Sequence, residues 1–456
     1  MKLKDLIEGI SDYEVIGGPE KDINALTYDS RHVHPGDLFV ALRGNKLDGH
    51  DYLQDAVQRG AAALLAERLD EIRGNVTRIR VSDTRNALSQ LAVRFYEYPF
   101  DGISLTGITG TNGKTTTSYI LESILLASGS RTGVIGTINY RYSGTTFPAP
   151  VTTPESLDLM RLVREMADHE VNNVIMEVSS HALDQGRTKD CPFKVAVFTN
   201  FSRDHLDYHK TMDAYFDAKS QLFRHLARGK DDGRWAVINL DDARGKDLAR
   251  LTRANVLFYG HDPQCDVRAV AVESDHGGLR ANLITPRGER KVASPLLGEF
   301  NIYNIMAASS AAIALDIHPD AIVAGIAALK SVPGRLEPVE NHRGLRLVVD
   351  YAHTPDALLK TILALRPLNK GRLITVFGCG GDRDKGKRQE MGTVAGQDSD
   401  VVIITSDNPR TENPLTIMEQ IERGIQKTAL KKRQWPPPDQ RHEFGYFVEV
   451  DRREAI

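Results

Sequence analysis

Short apolar runs alternate with longer amphipathic stretches along most of the chain after Gly102. Short apolar runs that end at Gly, Pro or Asp are typical of buried strands, and the stretches between them have helical spacing. The runs that we interpret as strands are 103–108, 173–176, 195–199, 235–239, 346–349, 372–377 and 401–405. This alternation predicts an α/β fold in which mostly parallel sheet carries helices on its faces.

The N-terminal part of the chain has a less regular pattern. Two strand-like runs, 37–41 and 61–65, are followed by an Ala- and Leu-rich stretch at 84–96 that predicts a helix. Pro99 ends this helical region, because proline disfavours helical conformation in the residue before it. A second break, Ser-Val-Pro-Gly at 331–334, separates the later strands from the earlier ones.

Composition narrows the class of protein. The 456-residue chain has 58 Lys and Arg against 61 Asp and Glu, and this balance argues against a nucleic-acid-binding protein. Cys191, Cys265 and Cys379 form no CxxC pair, which fits a reducing cytoplasm. The sequence has no signal-peptide pattern at its start and no apolar run of membrane-spanning length. We therefore expect a soluble cytoplasmic protein that holds any anionic ligand with local clusters of charge.

The strand predicted at 103–108 runs directly into a glycine-rich stretch, Gly110-Thr111-Asn112-Gly113-Lys114-Thr115-Thr116. Backbone N–H groups in such a loop, together with the N-terminus of the following helix, form a nest for phosphate oxygens. Lys114 would reach the outer phosphates and the Thr115 hydroxyl would bind Mg²⁺. The longer Walker spacing fails because Ile108 occupies its first glycine position. We predict nucleotide binding here, and the alternative is a glycine-rich turn without a ligand.

Three candidate groups for a metal site follow, each with an ordinary alternative. Glu177 directly follows the strand predicted at 173–176, where its carboxylate could face Mg²⁺ or could simply lie in solvent. His205 and His209 are four residues apart, so on a helix they would share one face, as zinc ligands often do. Two partly exposed histidines are an equally good interpretation. Lys219 by itself has the pattern of a surface lysine on a helix.

Two loops that follow later strands carry charge. The first, 378–388, is rich in glycine, lysine and arginine, and such a loop suits an anionic or carboxylate-bearing ligand. The second is Asp407-Asn408-Pro409-Arg410, in which the arginine could pair with a carboxylate through two parallel hydrogen bonds. Ligands of open α/β sheets bind beyond the carboxyl ends of the strands, where both loops are expected. A solvated charged loop and a common Asn-Pro turn are the alternatives.

Together these motifs resemble the Mur ligase family over the whole chain. The residues that carry the resemblance are 29–31, 109–116, 152–154, 177–183, Asn200, 204–207, Lys219, Asn301, Asn304, 333–335, 350–353, 378–388 and 407–410. The resemblance implies three domains: a smaller α/β domain for the uridine nucleotide at 1–99, a central P-loop ATPase domain at 100–331, and a Rossmann-like domain for the incoming amino acid at 332–456. The family's Gly-Lys-Gly-His-Glu stretch has no counterpart before Ile456, so we expect the sequence to be cut short there and amino-acid binding to be impaired.

The resemblance also implies an activity. It is that of an ATP- and Mg²⁺-dependent ligase of peptidoglycan precursor synthesis, which adds meso-diaminopimelate to UDP-N-acetylmuramoyl-L-alanyl-D-glutamate through an acyl phosphate. Such a protein would be a monomer without nucleic-acid or membrane partners. Ligases that add lysine or D-alanyl-D-alanine, and folylpolyglutamate synthase, share the phosphate loop, but the loop at 378–388 with Arg410 favours diaminopimelate. A nucleotide-driven switch and a non-catalytic scaffold are alternatives from other classes.

By matching positions, the resemblance assigns roles to single residues. The ATP site would consist of Gly110, Thr111, Asn112, Gly113, Lys114, Thr115, Thr116, Asn304 and Arg335. The UDP-sugar-peptide site would consist of Ser30, Asn45, Lys46, Leu47, Thr152, Thr153, Ser179, Gln185 and Arg187. The diaminopimelate site would consist of Arg383, Asp407, Asn408, Pro409 and Arg410. Mg²⁺ would be held by Thr115, Glu177, His205 and Lys219, the last as a carbamate formed from CO₂. The catalytic residues would be Lys114, Lys219 and His205.

Overall fold

The computed structural model describes residues 1–10, 12–44, 47–69, 72–226, 233–435 and 444–456. The N-terminal elements are α1 Leu3–Ile7, β1 Tyr13–Ile16, β2 Leu26–Thr27, β3 Leu38–Val40, α2 Leu53–Gln58, β4 Ala63–Ala66, β5 Thr77–Val81 and α3 Thr84–Phe95. The strands form one sheet in the order β1-β5-β4-β3-β2, in which only β1 is antiparallel. The runs predicted at 37–41, 61–65 and 84–96 are confirmed as β3, β4 and α3. Asp83 begins α3 because its side chain accepts a hydrogen bond from the Asn86 N–H.

The central part forms an eight-stranded sheet in the order β13-β12-β11-β6-β10-β7-β8-β9. Its elements are β6 Ser104–Thr109, α4 Lys114–Ala127, β7 Thr132–Ile135, β8 Asn139–Tyr142, β9 Thr145–Pro148, α5 Ser156–Asp168, β10 Asn173–Glu177, α6 Ser180–Asp184, β11 Phe193–Phe198, α7 Leu206–His209, α8 Met212–Arg224, β12 Trp235–Asn239, α9 Gly245–Leu251 and β13 Asn255–Tyr259. The four strands predicted here are confirmed. Strands β10 and β11 flank β6 and run parallel to it, so the carboxyl ends of all three meet at one edge of the sheet.

An antiparallel sheet and two helices complete the central part. They are β14 Arg268–Asp275, β15 Gly278–Thr285, β16 Gly288–Ser294, α10 Asn301–Ala314 and α11 Pro319–Ala328. Helices α10 and α11 pack against α4, and a Cβ on Gly325 would collide with the main chain of Ile124. This close packing fixes α4, and therefore the position of its N-terminus at the carboxyl edge of β6.

The C-terminal part has a smaller parallel sheet, β19-β20-β21. Its elements are β17 Glu337–Val339, β18 Leu347–Val349, α12 Pro355–Leu365, β19 Ile374–Phe377, α13 Gly386–Asp398, β20 Val401–Ile404, α14 Pro414–Ile425, β21 Gly445–Val448 and α15 Arg452–Ala455. The strands predicted at 346–349, 372–377 and 401–405 are confirmed as β18, β19 and β20. Strand β18 pairs antiparallel with β17 and is not part of the parallel sheet. The Asn341 side chain favours this hairpin: it donates to the Leu345 carbonyl and accepts from the Arg343 N–H.

The three α/β parts follow one another along the chain, as the sequence predicted. Their expected boundaries at 99 and 331 stay predictions. Within the described part of the chain, no helix is both long enough and apolar enough to cross a membrane.

Candidate active site

A cleft of about 1140 Å³ opens at the carboxyl edge of β6, β10 and β11. The loop after β6 and the segments after β10 and β11 form one side of it. The loops after β19 and β20 form the other side, so the central and C-terminal parts share the cleft. This arrangement follows from the parallel pairing of the strands, which brings their carboxyl ends together.

The loop between β6 and α4 has the shape of a phosphate-binding loop. Gly110 and Gly113 have φ values of 145° and 86°, which side chains rarely allow. A Cβ on Gly110 would collide with the Thr199 hydroxyl, and one on Gly113 with the amide oxygen of Asn304. Both glycines are therefore required by the fold, and α4 begins directly after them at Lys114.

Lys114 and Lys219 converge on one main-chain oxygen. Lys114 Nζ donates to the carbonyls of Gly110 and Thr111 at 2.8 and 2.9 Å, and Lys219 Nζ donates to the same Gly110 carbonyl at 2.8 Å. Lys219 is only 1% exposed, so its interpretation as a surface lysine was wrong. Burial lowers the pKa of Lys114, and burial together with the nearby Lys114 lowers the pKa of Lys219 well below its ordinary value. The neutral, nucleophilic amine is therefore favoured at Lys219.

Glu177 lies at the end of β10 and is also 1% exposed, so the alternative of an acid in solvent was wrong. Its Oε2 accepts hydrogen bonds from the hydroxyls of Thr115 and Thr137 at 3.0 and 2.9 Å. Carboxylate and hydroxyl oxygens are ligands that suit Mg²⁺. No group of three or more His, Cys, Asp or Glu side chains among the described residues could hold a metal. A Mg²⁺ ion beside Glu177 would therefore draw further oxygen ligands from a bound phosphate or from water.

His205 and His209 do not form a pair on one helical face. His205 precedes α7 with a φ of 54°, and its Nε2 lies 3.5 Å from Asp204 Oδ2. Burial lowers the pKa of His205 to about 3, which favours the neutral imidazole that metals bind. His209 Nε2 instead lies 2.9 Å from the Ser180 hydroxyl. The structure therefore gives no support to a shared zinc site.

The predicted sugar-peptide residues of the central part form a polar wall of the cleft. The Thr153 hydroxyl accepts a hydrogen bond from the Ser179 N–H at 3.0 Å, and the Thr153 carbonyl accepts from Arg187 Nη1 at 2.9 Å. Arg187 also donates to Gln185 Oε1 at 2.6 and 3.0 Å. These contacts hold the Arg187 guanidinium in place, where it can pair with a carboxylate.

Two further predicted residues reach the phosphate loop from more distant parts of the chain. Asn304 on α10 accepts a hydrogen bond from the Thr117 hydroxyl at 3.3 Å. Arg335 Nη2 donates to the Thr115 hydroxyl at 3.3 Å, and its guanidinium lies 4.6 Å from the centre of the Tyr351 ring. A cation is thereby placed beside the group that would bind Mg²⁺ and phosphate.

Charged contacts join the two sides of the cleft next to the phosphate loop. Asn112 Nδ2 donates to Asp356 on α12 at 3.1 Å. Asp204 lies 3.3 Å from His353 Nε2 and 3.5 Å from Lys387 Nζ. Burial alone would raise the pKa of Asp204, but these contacts hold it well below its ordinary value.

The two charged loops of the C-terminal part lie side by side. The Gly381 N–H donates to the Asn408 carbonyl at 2.9 Å, and the Gly381 carbonyl accepts from Arg410 Nη1 at 2.5 Å. Arg410 has a φ of 50°, a strained value for a non-glycine residue. Such strain is typical of a side chain that the surrounding structure holds in a particular direction.

Three family models match the chain. The Mur ligase family catalytic domain matches residues 22–96, the Mur ligase middle domain 108–312, and the Mur ligase glutamate ligase domain 334–456. The UDP-N-acetylmuramoyl-L-alanyl-D-glutamate–2,6-diaminopimelate ligase of Geobacter metallireducens is 48% identical over 434 residues, which are 95% of this chain and 85% of that protein. The chain belongs to the Mur ligase family. A ligase of the same name from Geobacillus kaustophilus is 44% identical over 459 residues, and the match covers 100% of this chain and 90% of that protein.

Solved Mur ligases share the fold. A structure of a UDP-N-acetylmuramoyl-L-alanyl-D-glutamate–2,6-diaminopimelate ligase matches with a TM-score of 0.70 and 31% identity, and covers 100% of this chain and 89% of that chain. The MurF ligase from Thermotoga maritima, in complex with ADP, matches with a TM-score of 0.63 and 24% identity over 94% of both chains. The expected α/β fold of three parts is therefore confirmed.

Most of the predicted site residues of this Mur ligase line the one cleft. They are Thr111, Asn112, Gly113, Lys114, Thr115, Thr116, Thr152, Thr153, Glu177, Ser179, Gln185, Arg187, His205, Lys219, Asn304, Arg335, Arg383, Asp407 and Arg410. The predicted residues that do not line it are Gly110, Asn408, Pro409, Ser30 and Leu47. Asn45 and Lys46 lie outside the described residues.

Sequence reasoning missed several polar residues of the cleft. The sequence around Thr137 does not indicate a place in the site, because its contact with Glu177 depends on the pairing of β7 with β10. Asp204 and His353 lie in motifs that carry the family resemblance, but the resemblance assigns no role to either residue. Lys387 belongs to the charged loop at 378–388, and its sequence gives no sign that it reaches the central part.

Proposed function

We propose that this Mur ligase uses ATP to add meso-2,6-diaminopimelate to UDP-N-acetylmuramoyl-L-alanyl-D-glutamate in peptidoglycan precursor synthesis. The observation that carries the proposal is the single cleft in which a phosphate loop faces two loops that bear arginines. The two relatives that bear this activity in their names support it, and the ADP complex of the MurF ligase supports ATP as the nucleotide. Cell-wall precursors are made in the cytoplasm, where we place the protein as a monomer.

ATP binds with its phosphates on the loop at 110–116. Lys114 exchanges its two carbonyl contacts for phosphate oxygens, and Asn304 and Arg335 contact the nucleotide. Thr115 and Glu177 are the residues that would hold Mg²⁺, with His205 nearby. When bound, this ion neutralises phosphate charge.

Two anions must meet for the reaction to begin, the D-glutamyl carboxylate and the triphosphate. Their repulsion at about 4 Å is several kcal/mol even at a moderate effective dielectric. Lys114 and Arg335 offset this repulsion next to the phosphate loop. Thr152, Thr153, Ser179 and Gln185 hold the sugar-peptide at the polar wall of the cleft, and Arg187 pairs with one of its carboxylates.

The chemistry takes place in two steps. A carboxylate oxygen attacks the γ-phosphorus, the bond to the bridging oxygen of ADP breaks, and an acyl phosphate forms. The diaminopimelate amine then attacks the acyl carbon, the carbon–oxygen bond to phosphate breaks, and the amine loses a proton. The residues of the cleft act by positioning and by charge, which is how most catalysis of phosphoryl transfer arises.

Lys219 serves this reaction as a carbamate. Its neutral amine attacks CO₂, a nitrogen–carbon bond forms, and a proton is released. The product is an anion whose oxygens would help hold Mg²⁺, whereas the ammonium form would repel it. The low pKa and the burial of Lys219 favour this modification.

Diaminopimelate binds between the two C-terminal loops. Arg383, Asp407 and Arg410 line the cleft there, and Asn408 and Pro409 shape the turn that carries Arg410. Arg410 pairs with the carboxylate at the far end of the amino acid, which lysine lacks. The uridine end of the other substrate binds the N-terminal part, at Ser30 and at the Asn45-Lys46-Leu47 stretch.

A coupled assay of ADP release tests the proposal. The purified chain is supplied with ATP, Mg²⁺ and UDP-N-acetylmuramoyl-L-alanyl-D-glutamate, and diaminopimelate, lysine or no amino acid is added. We expect ADP release that depends on diaminopimelate and that lysine does not support. Equal release with lysine identifies a lysine-adding ligase, and equal release without an amino acid identifies an ATPase of another function.

A further inference from the structure

Arg388 and Glu412 form an ion pair next to the two charged loops of the C-terminal part. Arg388 is the last residue of the first loop, 378–388, and Glu412 follows the second loop, 407–410, by two residues. Arg388 is 0% exposed, and the Glu412 side chain is 14% exposed. The Arg388 guanidinium donates from Nη1 to Glu412 Oε2 at 3.0 Å and from Nη2 to Oε1 at 2.8 Å. This is the bidentate geometry that fixes the orientation as well as the distance of the two groups.

The pair also holds both loops through other atoms. Arg388 donates to the Gly380 carbonyl at 3.2 Å and to Gln420 Oε1 on α14 at 2.8 Å. Glu412 accepts a hydrogen bond from the Asp382 N–H at 2.6 Å, and Lys385 Nζ lies 3.3 Å from its Oε2. The pair therefore contacts the first loop at Gly380 and Asp382, on both sides of Gly381. Glu412 itself lies just after the second loop.

The two loops also pack closely against each other. A Cβ on Gly381 would collide with the Pro409 carbonyl. The Thr411 hydroxyl donates to Asp382 Oδ1 at 2.7 Å. A shift of Glu412 would therefore also move Arg410, two residues earlier in the same turn.

Stability alone is a poor reason for such a pair. Replacing both partners of a buried ion pair with uncharged residues of similar volume often leaves stability unchanged or raises it. Arg388 Nε also finds no hydrogen-bond partner among the described residues, which adds an unfavourable contribution. What the pair provides is a fixed geometry between the loops.

We infer that Arg388 and Glu412 are positioning residues that set the spacing between Arg383 and Arg410, and thereby select an amino acid with a second carboxylate. Arg388 and Glu412 do not line the cleft, whereas Arg383 and Arg410 do. Arg383 follows Asp382, whose N–H is held by Glu412, and Arg410 precedes Glu412 by two residues. The inference rests on the proposed function, because it concerns the amino acid used in that reaction.

The test is a comparison of wild type with Glu412→Gln and with the double variant Arg388→Met/Glu412→Gln. Initial rates give kcat and the KM values for diaminopimelate, ATP and the UDP-sugar-peptide, and product mass gives the preference for diaminopimelate over lysine. Because a bidentate pair with a carboxylate depends on the exact position of the arginine, we expect the KM for diaminopimelate to rise roughly 10- to 100-fold when Arg410 is displaced. The preference should fall by a similar factor, and the KM for ATP should stay within about twofold. The double variant removes both charges, so it should unfold near the wild-type urea concentration.

Arg366→Met is the matched control. Arg366 pairs with Asp400 at 2.6 Å in the same part of the chain and contacts neither loop. This variant should change neither the KM for diaminopimelate nor the preference. Wild-type preference in a folded double variant, or an equal rise of all three KM values, overturns the inference alone. A wild-type protein that incorporates no diaminopimelate overturns the proposed function, and the inference with it.

Discussion

Two lysines that share the Gly110 carbonyl show how single residues prepare this cleft for anions. Within the part of the chain that the structure describes, Lys114 and Lys219 have no carboxylate in hydrogen-bond contact, and each donates to main-chain oxygen instead. Lys114 can exchange these neutral acceptors for phosphate oxygens when ATP binds. The same proximity favours loss of a proton from Lys219, since burial and the charge of Lys114 both lower its pKa.

Lys114→Ala should abolish ATP turnover while the fold survives. Among the described residues, Lys114 Nζ donates to the carbonyls of its own loop, so its removal takes away charge for the phosphates and little packing. We expect a loss of at least roughly 10²- to 10³-fold in kcat, the size of effect found when one stabilising group is removed from a reacting centre. Circular dichroism and urea unfolding provide the folding control. Near-normal turnover would contradict the assignment of the phosphate loop.

Lys219→Ala should be nearly inactive, because it removes the amine that becomes the carbamate. A short carboxylate such as acetate should partly restore its activity, since it returns oxygen ligands to the same space. The intact mass of the wild-type protein, measured under CO₂ and after mild acid treatment, reports the modification directly. A fully active protein with an unmodified Lys219 would refute this role.

Arg410→Ala should lose the preference for diaminopimelate over lysine. With lysine bound, the Arg410 guanidinium would be desolvated without its carboxylate partner, and this penalty is the source of discrimination. Truncating one partner of such a pair typically costs about 2–5 kcal/mol, or tens to thousands in specificity. Competition between the two amino acids, read by product mass, measures it. If the substitution lowers the use of both amino acids equally, Arg410 is not the selector.

At the scale of elements, hydrophobic patterning predicted the strands that carry the site. The central residues of β10 and β11 are mostly apolar because the sheet buries them on both faces, and such runs are easy to recognise in a sequence. Strand β6 is buried as well, although it contains Thr106 and Thr109. The partner of β18 was not predictable in this way. It depends on a hairpin closed by Asn341, and a three-residue strand has too little pattern to indicate its neighbour.

The candidate site was predictable where its residues stand in loops directly after strands, as Glu177 and the phosphate loop do. It was not predictable where a side chain acts from an element distant in sequence. Thr137, Asp204 and Lys387 contribute through contacts that depend on the pairing of strands and the meeting of domains. Arg388 ends the charged loop at 378–388, and the sequence gives no indication that its side chain is fully buried.

The ion pair between Arg388 and Glu412 predicts that the free energy of unfolding depends on pH. Hydrogen bonding to Arg388 is the main cause that lowers the pKa of Glu412 to about 2, from an ordinary value of 4.5. A lowered folded-state pKa contributes stability above pH 4.5 that is lost as the pH falls toward 2. Glu412→Gln should therefore destabilise the protein by about 2 kcal/mol at pH 7, and by progressively less below pH 4.5. Urea unfolding of both proteins from pH 7 to pH 3 measures this, and a difference independent of pH would contradict it.

At the scale of the whole molecule, the cleft exists only because the central and C-terminal parts meet. Asp204 contacts His353 and Lys387 across it, and Arg203 lies 2.9 Å from Glu390 on α13. These pairs stand between the phosphate loop and the amino-acid loops. The acyl phosphate formed on one side can thus be attacked by an amine bound on the other without diffusing through water, which would hydrolyse it.

Oxygen transfer tests the central claim most directly. UDP-N-acetylmuramoyl-L-alanyl-D-glutamate labelled with ¹⁸O in its glutamyl carboxylates is incubated with the protein, ATP, Mg²⁺ and diaminopimelate. We expect the tripeptide product by mass spectrometry, together with one ¹⁸O atom from the reacting carboxylate in the released phosphate for each amide formed. Phosphate without ¹⁸O, or ADP release without the tripeptide, would contradict it.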